Sequence, residues 1–296
     1  MKFSSLTYQF IIKFYNLLPL KKQICLVLRN INFFSKNKLH VDLKFKGEST
    51  VKIPNTNYRF KLNCWESTIE NEIFWNGLGQ TWEPETVNLW IDLCKKSKVI
   101  FDIGANTGIY SLIAKSINKD NEVIAFEPSD LVLHKLKKNI YDNNFDIKIV
   151  EKGVSNLTGD RIFYDVDDLH QTSASLSPDK LKNFDSFKGQ IREYKISTIR
   201  LDKFIEENNI IPDLIKIDVE LHEPEVIEGL GKYLNKIKPT IIIEVLTAKI
   251  AETLNKSFDN SIFDIYRLKK NQKPQIVNEI IPNECYNYLI KAKSII

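Results

Sequence analysis

The chain has 296 residues, of which 43% are apolar and 27% charged, with a formal net charge of +4. That length and apolar content allow one large core plus an accessory segment, and so small a charge argues against nucleic acid as a partner. Cys25, Cys64, Cys94 and Cys285 share no C-x-x-C spacing, so they fit neither a zinc site nor a disulfide framework, and a cytoplasmic, reducing location is expected.

From Tyr8 to Leu20 the chain is mostly apolar, with Gln9, Lys13 and Asn16 as a narrow polar stripe. Pro19 interrupts it, and Lys21 to Phe34 forms a second apolar segment carrying Lys21, Lys22 and Arg29. Neither reaches the ~18 uncharged apolar residues of a membrane span, and Lys13 breaks the apolar core that a signal peptide needs. Two readings of residues 8–34 stay open. They pack as a helical pair on protein, including a second subunit in a homo-oligomer, or they lie as a basic amphipathic segment on the anionic inner membrane surface. Val41, Leu43 and Phe45, then Tyr58, Phe60 and Leu62, alternate with polar residues and predict a hairpin of antiparallel strands. Residues 1–80 are thus expected to form an accessory segment ahead of a main domain at 81–296.

Thr81-Trp-Glu-Pro-Glu-Thr86 opens a helix, with Pro84 and Glu85 suited to its first turn. Trp82 and Glu83 either start that helix or wall a ligand pocket. Strands are then predicted at Val99–Ile103, Glu122–Phe126, Asp146–Glu151, Asp213–Asp218 and Thr240–Leu246. Helices fall near Ile109–Asn118, Leu131–Asn143, Leu201–Asn208 and Pro224–Leu234. The alternation predicts an α/β doubly wound, mostly parallel sheet with ligands at the C-terminal ends of the strands. Ile262–Leu268 and Tyr286–Ala292 are expected to add an antiparallel C-terminal edge. Asp165 to Lys195, with Gln171-Thr-Ser-Ala-Ser175 at its centre, reads as an acceptor-side loop or lid.

The most informative stretch is Val99-Ile-Phe-Asp-Ile-Gly-Ala-Asn-Thr-Gly-Ile-Tyr110 with Val123-Ile-Ala-Phe-Glu-Pro128. A strand ending in Asp102 runs through a glycine-bearing turn into a helix, and a second strand ends in Glu127. Such a unit binds a nucleoside, the turn approaching the ligand and the second carboxylate accepting two ribose hydroxyls. A dinucleotide fingerprint needs three glycines, and here Asn106 and Ile109 stand at two of those positions. Asp102 repels a pyrophosphate but suits a cationic amino group, which favours S-adenosylmethionine. The expected cofactor-binding residues are Asp102, Gly104, Ala105, Asn106, Thr107, Gly108, Glu127 and Pro128. An NAD-dependent oxidoreductase and a non-catalytic ligand-binding protein remain as alternatives.

Phe101-Asp-Ile-Gly-Ala-Asn-Thr-Gly-Ile-Tyr-Ser-Leu112, Ala125-Phe-Glu-Pro128, Leu214-Ile-Lys-Ile-Asp-Val-Glu220, His222-Glu-Pro-Glu-Val-Ile-Glu-Gly229 and Pro239-Thr-Ile-Ile-Ile-Glu244 resemble the FkbM family of S-adenosylmethionine-dependent methyltransferases. The resemblance runs from about Trp82 to Glu244 and more faintly to the C-terminus. It implies a class I methyltransferase (Rossmann-like) fold and O-methylation of a sugar, glycan or secondary metabolite, so the expected partner is a small-molecule or glycan acceptor. The family usually has Gly after Asp-Val-Glu, where this chain has Leu221. If that position needs positive φ, leucine strains or reshapes the acceptor side.

Methyl transfer to a hydroxyl requires alignment and removal of a proton. Asp218, Glu220, His222 and Glu223 follow the fourth strand, where the acceptor is expected, and alternation puts Lys216 and Asp218 on one face. Asp218, Glu220 and His222 are the candidate catalytic residues. His222, with an ordinary pKa near ~6.5, is the natural general base, although it also suits a helix cap, and Glu220 also suits a helix N-terminus. Asp218 and Glu244 would together suit Mg²⁺, but acids at strand ends are common without metal, and no metal site is assigned.

Overall fold

The computed structural model describes residues 5–30, 42–167, 174–177, 190–282 and 285–293. These fall into two compact units, Met1–Trp82 and Glu83–Ile296.

The first unit contains α1 (Ser5–Leu17), α2 (Lys21–Asn30), β1 (Lys46–Lys52), β2 (Arg59–Trp65) and α3 (Thr68–Asn76). Pro19 ends α1, and Leu20, at φ 60°, turns the chain into α2. Residues 31–34 of the second apolar segment lie outside the described residues. Tyr15, Cys25, Leu43, Phe45, Cys64 and Phe74 form a small core, into which the Tyr15 hydroxyl donates to the Lys44 carbonyl at 2.7 Å. The hairpin differs from its expected position. β1 starts at Lys46 and pairs antiparallel with β2, from Lys46 opposite Trp65 to Lys52 opposite Arg59. Leu43 and Phe45 are buried without joining that sheet, so packing alone accounts for their alternation; Val41 lies outside the described residues. α3 escapes a periodicity reading because Glu70 and Asn71 are buried beside Ile73 and Phe74.

The second unit continues with α4 (Pro84–Cys94), β3 (Val99–Ile103), α5 (Ile109–Ile117), β4 (Glu122–Phe126), α6 (Asp130–Asn143), β5 (Ile147–Val150), β6 (Gly153–Val154), β7 (Gly159–Asp167), β8 (Gln190–Ile199), α7 (Leu201–Asn208) and β9 (Leu214–Ile217). It closes with α8 (Glu223–Leu230), α9 (Lys232–Ile237), β10 (Thr240–Glu244), α10 (Ala248–Ser257), β11 (Phe263–Arg267), β12 (Gln275–Val277) and β13 (Asn287–Ala292). The main sheet runs β12-β11-β13-β10-β9-β3-β4-β5. Its five strands from β10 to β5 are parallel, and their Val- and Ile-rich runs suit burial on both faces. This is the α/β doubly wound sheet expected from the alternation.

At the C-terminal edge β13 inserts between β10 and β11, antiparallel to both, and β12 pairs outside β11. The tail therefore adds three strands instead of two, and β11 runs in the same sense as the parallel set. The predicted helix at Pro224–Leu234 breaks at Gly231 (φ 55°) into α8 and α9. The stretch from Asp165 to Lys195 is not one loop. β7 and β8 pair antiparallel from Gly159 opposite Thr198 to Asp167 opposite Gln190, and Ser175 bridges Tyr164. Gln171, Thr172 and Ser173 lie outside the described residues. On the α7 face of the sheet Phe101, Phe126 and Phe204 stack edge to face with centroids 5.1–5.6 Å apart. That packing fixes β3 and β4, whose C-terminal ends carry the two signature acids.

Candidate active site

The turn between β3 and α5 gets its shape from backbone constraints. Gly104 has φ 81°, Asn106 51° and Gly108 90°, so three left-handed residues fold the chain back within five positions. A Cβ on Gly104 would lie 1.8 Å from the carbonyl oxygen of Asp218, and one on Gly108 would lie 2.5 Å from Leu136. Gly104 is therefore required for the turn to lie against the end of β9, a reason independent of any ligand. The amides of Gly104 and Ala105 both donate to the Phe126 carbonyl at 3.0 Å, which ties the turn to the end of β4. Thr107 is buried and its carbonyl accepts from Asn139, so it braces α6.

Glu127 follows directly and is buried. One carboxylate oxygen accepts the Asn106 amide and the other the Ser129 amide, each at 2.8 Å. Burial raises its carboxyl to about 7 against these two lowering hydrogen bonds. Each oxygen keeps a further lone pair, so two donors are still needed to satisfy the group fully. The cis hydroxyls of a ribose would meet that need. Pro128 is half-buried beside it. Asp102 is also buried; it accepts from Ser111 Oγ at 2.6 Å, and burial raises its carboxyl to about 6. These residues fit the adenosine and amino-acid ends of S-adenosylmethionine.

A second polar group occupies the neighbouring strand ends. Lys216 is 1% exposed within β9, and its ammonium donates to Asp218 Oδ2 at 3.0 Å and lies 4.9 Å from the Tyr110 ring centroid. Burial alone would lower Lys216, but the carboxylates of Asp218, Glu83 and Glu244 outweigh it and raise the ammonium above its ordinary value. Glu83, at φ 40° before α4, accepts the Tyr110 hydroxyl at 2.5 Å. Burial raises its carboxyl, Lys216 offsets part of that, and Asp218 adds to it. Glu244, at the end of β10, is raised well above the ordinary carboxylate range by burial and by Asp218 and Glu220. Carboxylates from α4, β9 and β10 thus converge on one buried ammonium. Among the described residues no group of three or more His, Cys, Asp or Glu is arranged to hold a metal ion. Lys216 instead holds Asp218, the side chain that a Mg²⁺ ion would need.

The chain leaves β9 through two left-handed residues, Glu220 (φ 56°) and Leu221 (φ 76°). Leucine thus stands at a position with the backbone geometry that favours glycine. The Leu221 amide donates to Glu223 Oε1 at 3.1 Å, while Glu223 Oε2 is buried without a hydrogen-bond partner. Burial raises the Glu223 carboxyl to about 8. The Glu220 carbonyl accepts from Ser175 Oγ, which joins this turn to the β7–β8 segment.

His222 occupies a different environment. Its Nε2 pairs with Ser155 Oγ at 3.0 Å and its Nδ1 lies 3.5 Å from Glu225. Burial lowers the imidazole to about 4, and the charge of Arg161 acts in the same direction. It makes no side-chain cap to α8. The structure therefore brings Asp102, Gly104–Gly108, Glu127 and Asp218 together, and adds Lys216, Tyr110, Glu83 and Glu244. A lysine within an otherwise apolar parallel strand was a readable sign, since an unpaired buried ammonium is too costly to keep.

A family model described as the methyltransferase FkbM domain matches residues 102–267. The hexuronic acid methyltransferase AglP of Haloferax volcanii is 26% identical over 165 residues, covering 55% of this chain and 62% of that protein. The match thus spans less than two thirds of the length of that relative. Among solved structures, an FkbM methyltransferase from Methylobacillus flagellatus superposes with TM-score 0.40 at 19% identity, over 66% of this chain and 43% of that one. A SAM-dependent methyltransferase from Agrobacterium tumefaciens gives TM-score 0.43 at 9% identity, over 84% and 70%. The family match covers more than half of the chain and begins at Asp102, the acid that precedes the β3–α5 turn, so the protein belongs to the FkbM methyltransferase family, with S-adenosylmethionine as cofactor.

Proposed function

We propose that the protein transfers a methyl group from S-adenosylmethionine to a neutral hydroxyl, on a sugar or a related small polyol. The observation that carries this reading is the acidic group around Lys216. Glu83, Asp218, Glu220 and Glu244 outnumber that single ammonium and already raise one another's carboxyls, so an acceptor that is itself a carboxylate would add one more acid to a site that disfavours it. The AglP relative acts on hexuronic acid, as its name states; sugar chemistry is carried over from it here, and the acidic group acceptor is not.

The cofactor supplies a methyl group on a positively charged sulfur, already activated for transfer. Glu127 and the Gly104–Gly108 turn hold the nucleoside end, and Asp102 faces the amino-acid end. Asp218 and Lys216 hold each other in place and orient the acceptor oxygen. Glu244 takes the hydroxyl proton as the oxygen attacks. Burial, Asp218 and Glu220 raise its carboxyl, which makes its ionised form a stronger proton acceptor than an ordinary carboxylate. His222, lowered to about 4 and paired with Ser155, is a weaker base and is assigned to positioning α8.

The test is transfer of labelled methyl from S-adenosylmethionine to a panel of neutral glycosides and their uronic acid counterparts. Labelling of neutral acceptors, with Glu244→Gln reducing the rate by ~10²–10⁴ at unchanged cofactor affinity, supports the assignment. Preferential labelling of uronic acids, or loss of turnover in His222→Gln but not in Glu244→Gln, contradicts it.

A further inference from the structure

We propose that α1 is a membrane-surface helix, whose outer face docks the chain on an anionic bilayer. α1 is apolar on two opposite sides. Tyr15 points inward and is buried with Cys25 and Phe45, and Ile12 packs against the same core. On the other side Phe10, Phe14 and Leu17, spaced at i, i+4 and i+7, are 71%, 56% and 83% exposed. That spacing places them along one stripe. Leu20 in the following turn and Val27 on α2 are exposed as well, at 67% and 60%. Five large apolar side chains within eighteen residues exceed the scattered exposure that needs no explanation.

Charge decides what covers this face. Residues 1–41 contain seven Lys and Arg and no Asp or Glu, whereas the rest of the chain has 35 Lys and Arg against 38 Asp and Glu. All of the chain's net positive charge therefore resides in this segment. Lys13 lies one turn from both Phe10 and Leu17 and is exposed. A two-fold contact between copies would set this basic segment against itself, and like charges would repel. An anionic lipid surface attracts the same charges while accepting the rings and leucines at the headgroup boundary. Among the described residues no helix is long and apolar enough to cross a membrane, and at 13 residues α1 is too short to span the ~20 residues a bilayer core requires. It lies in the surface.

The experiment is flotation of the full chain with vesicles of equal parts phosphatidylglycerol and phosphatidylcholine, and with phosphatidylcholine alone. The proposal expects recovery with the anionic vesicles only, falling steeply as salt is raised. Lys13→Gln should weaken binding about fivefold, the effect of one basic residue near such a surface. The triple variant F10S/F14S/L17S should stay at the bottom of the gradient with an unchanged melting temperature, because these side chains are exposed. No flotation of the wild type at low salt overturns the proposal. So does a concentration-dependent dimer that the triple variant dissociates, since the face is then covered by a second copy.

Discussion

Leu221 shows how one residue can be misplaced by type and still be tolerated. At φ 76° a non-glycine residue costs roughly 1–2 kcal/mol, but Leu221 also packs against the main core, and that burial offsets part of the cost. Leu221→Gly should therefore change stability by less than about 1 kcal/mol, whereas Leu221→Val, β-branched at positive φ, should lose about 2 kcal/mol or more. Chemical denaturation of both variants checks this; equal losses would show that packing governs the site and backbone geometry does not. His222 teaches a complementary lesson. Its ordinary pKa made it the natural base in the sequence, yet burial and Arg161 take it to about 4. That shift depends on what surrounds the ring, which no spacing along the chain records.

At the scale of elements, the β3–α5 turn was legible because it is local. Asp102, Gly104, Asn106 and Gly108 specify the left-handed backbone within a few positions, and observed φ values follow. The reason for Gly104 was only half legible. It reads as room for a ligand, while the structure sets it against the Asp218 carbonyl of a strand more than a hundred residues later. Gly104→Ala should thus destabilise the protein by about 2–5 kcal/mol even without cofactor, combining left-handed strain and overpacking. A thermal melt of the unliganded variant decides the point, and an unchanged midpoint would restore a purely ligand-related role. Lys216 and Asp218 were readable as neighbours on one strand face, but their grouping with Glu83 and Glu244 was not, for the same long-range reason. Glu83 enters from the start of α4 and Glu244 from β10, and only tertiary packing and the sheet order bring them to the end of β9. The hairpin shift has a local cause: Leu43 and Phe45 alternate like a strand but find helical partners, so the pattern recorded burial and not strand pairing.

Over the whole molecule, buried acids give a pH signature. Glu127 and Glu223 have folded values raised from about 4.5 to about 7 and about 8 by burial. The folded state therefore holds protons that the unfolded state has released, and stability is lost as pH rises through these values. His222 acts in the opposite sense, but only between about 4 and 6.5, below which the unfolded ring is charged. From about pH 6.5 to about pH 8 the carboxyls dominate, and the melting temperature of the unliganded protein should fall. Glu223→Gln should flatten the upper part of that fall. A midpoint that climbs across this window in the wild type contradicts the assignment of these buried acids.

By the same chemistry we propose Glu127 as the residue on which nucleoside binding depends most. Its carboxylate is held by two amides and retains lone pairs for two hydroxyls, so its removal loses charge-assisted hydrogen bonds worth about 2–3 kcal/mol. Calorimetric titration of the full chain with S-adenosylhomocysteine, wild type beside Glu127→Ala, is the most direct measurement of the account. Saturable binding to the wild type, weakened about 30- to 150-fold in the variant, is the expected result, the equivalent of that energy. Equal affinity in a folded variant, or no binding to either protein, would contradict it.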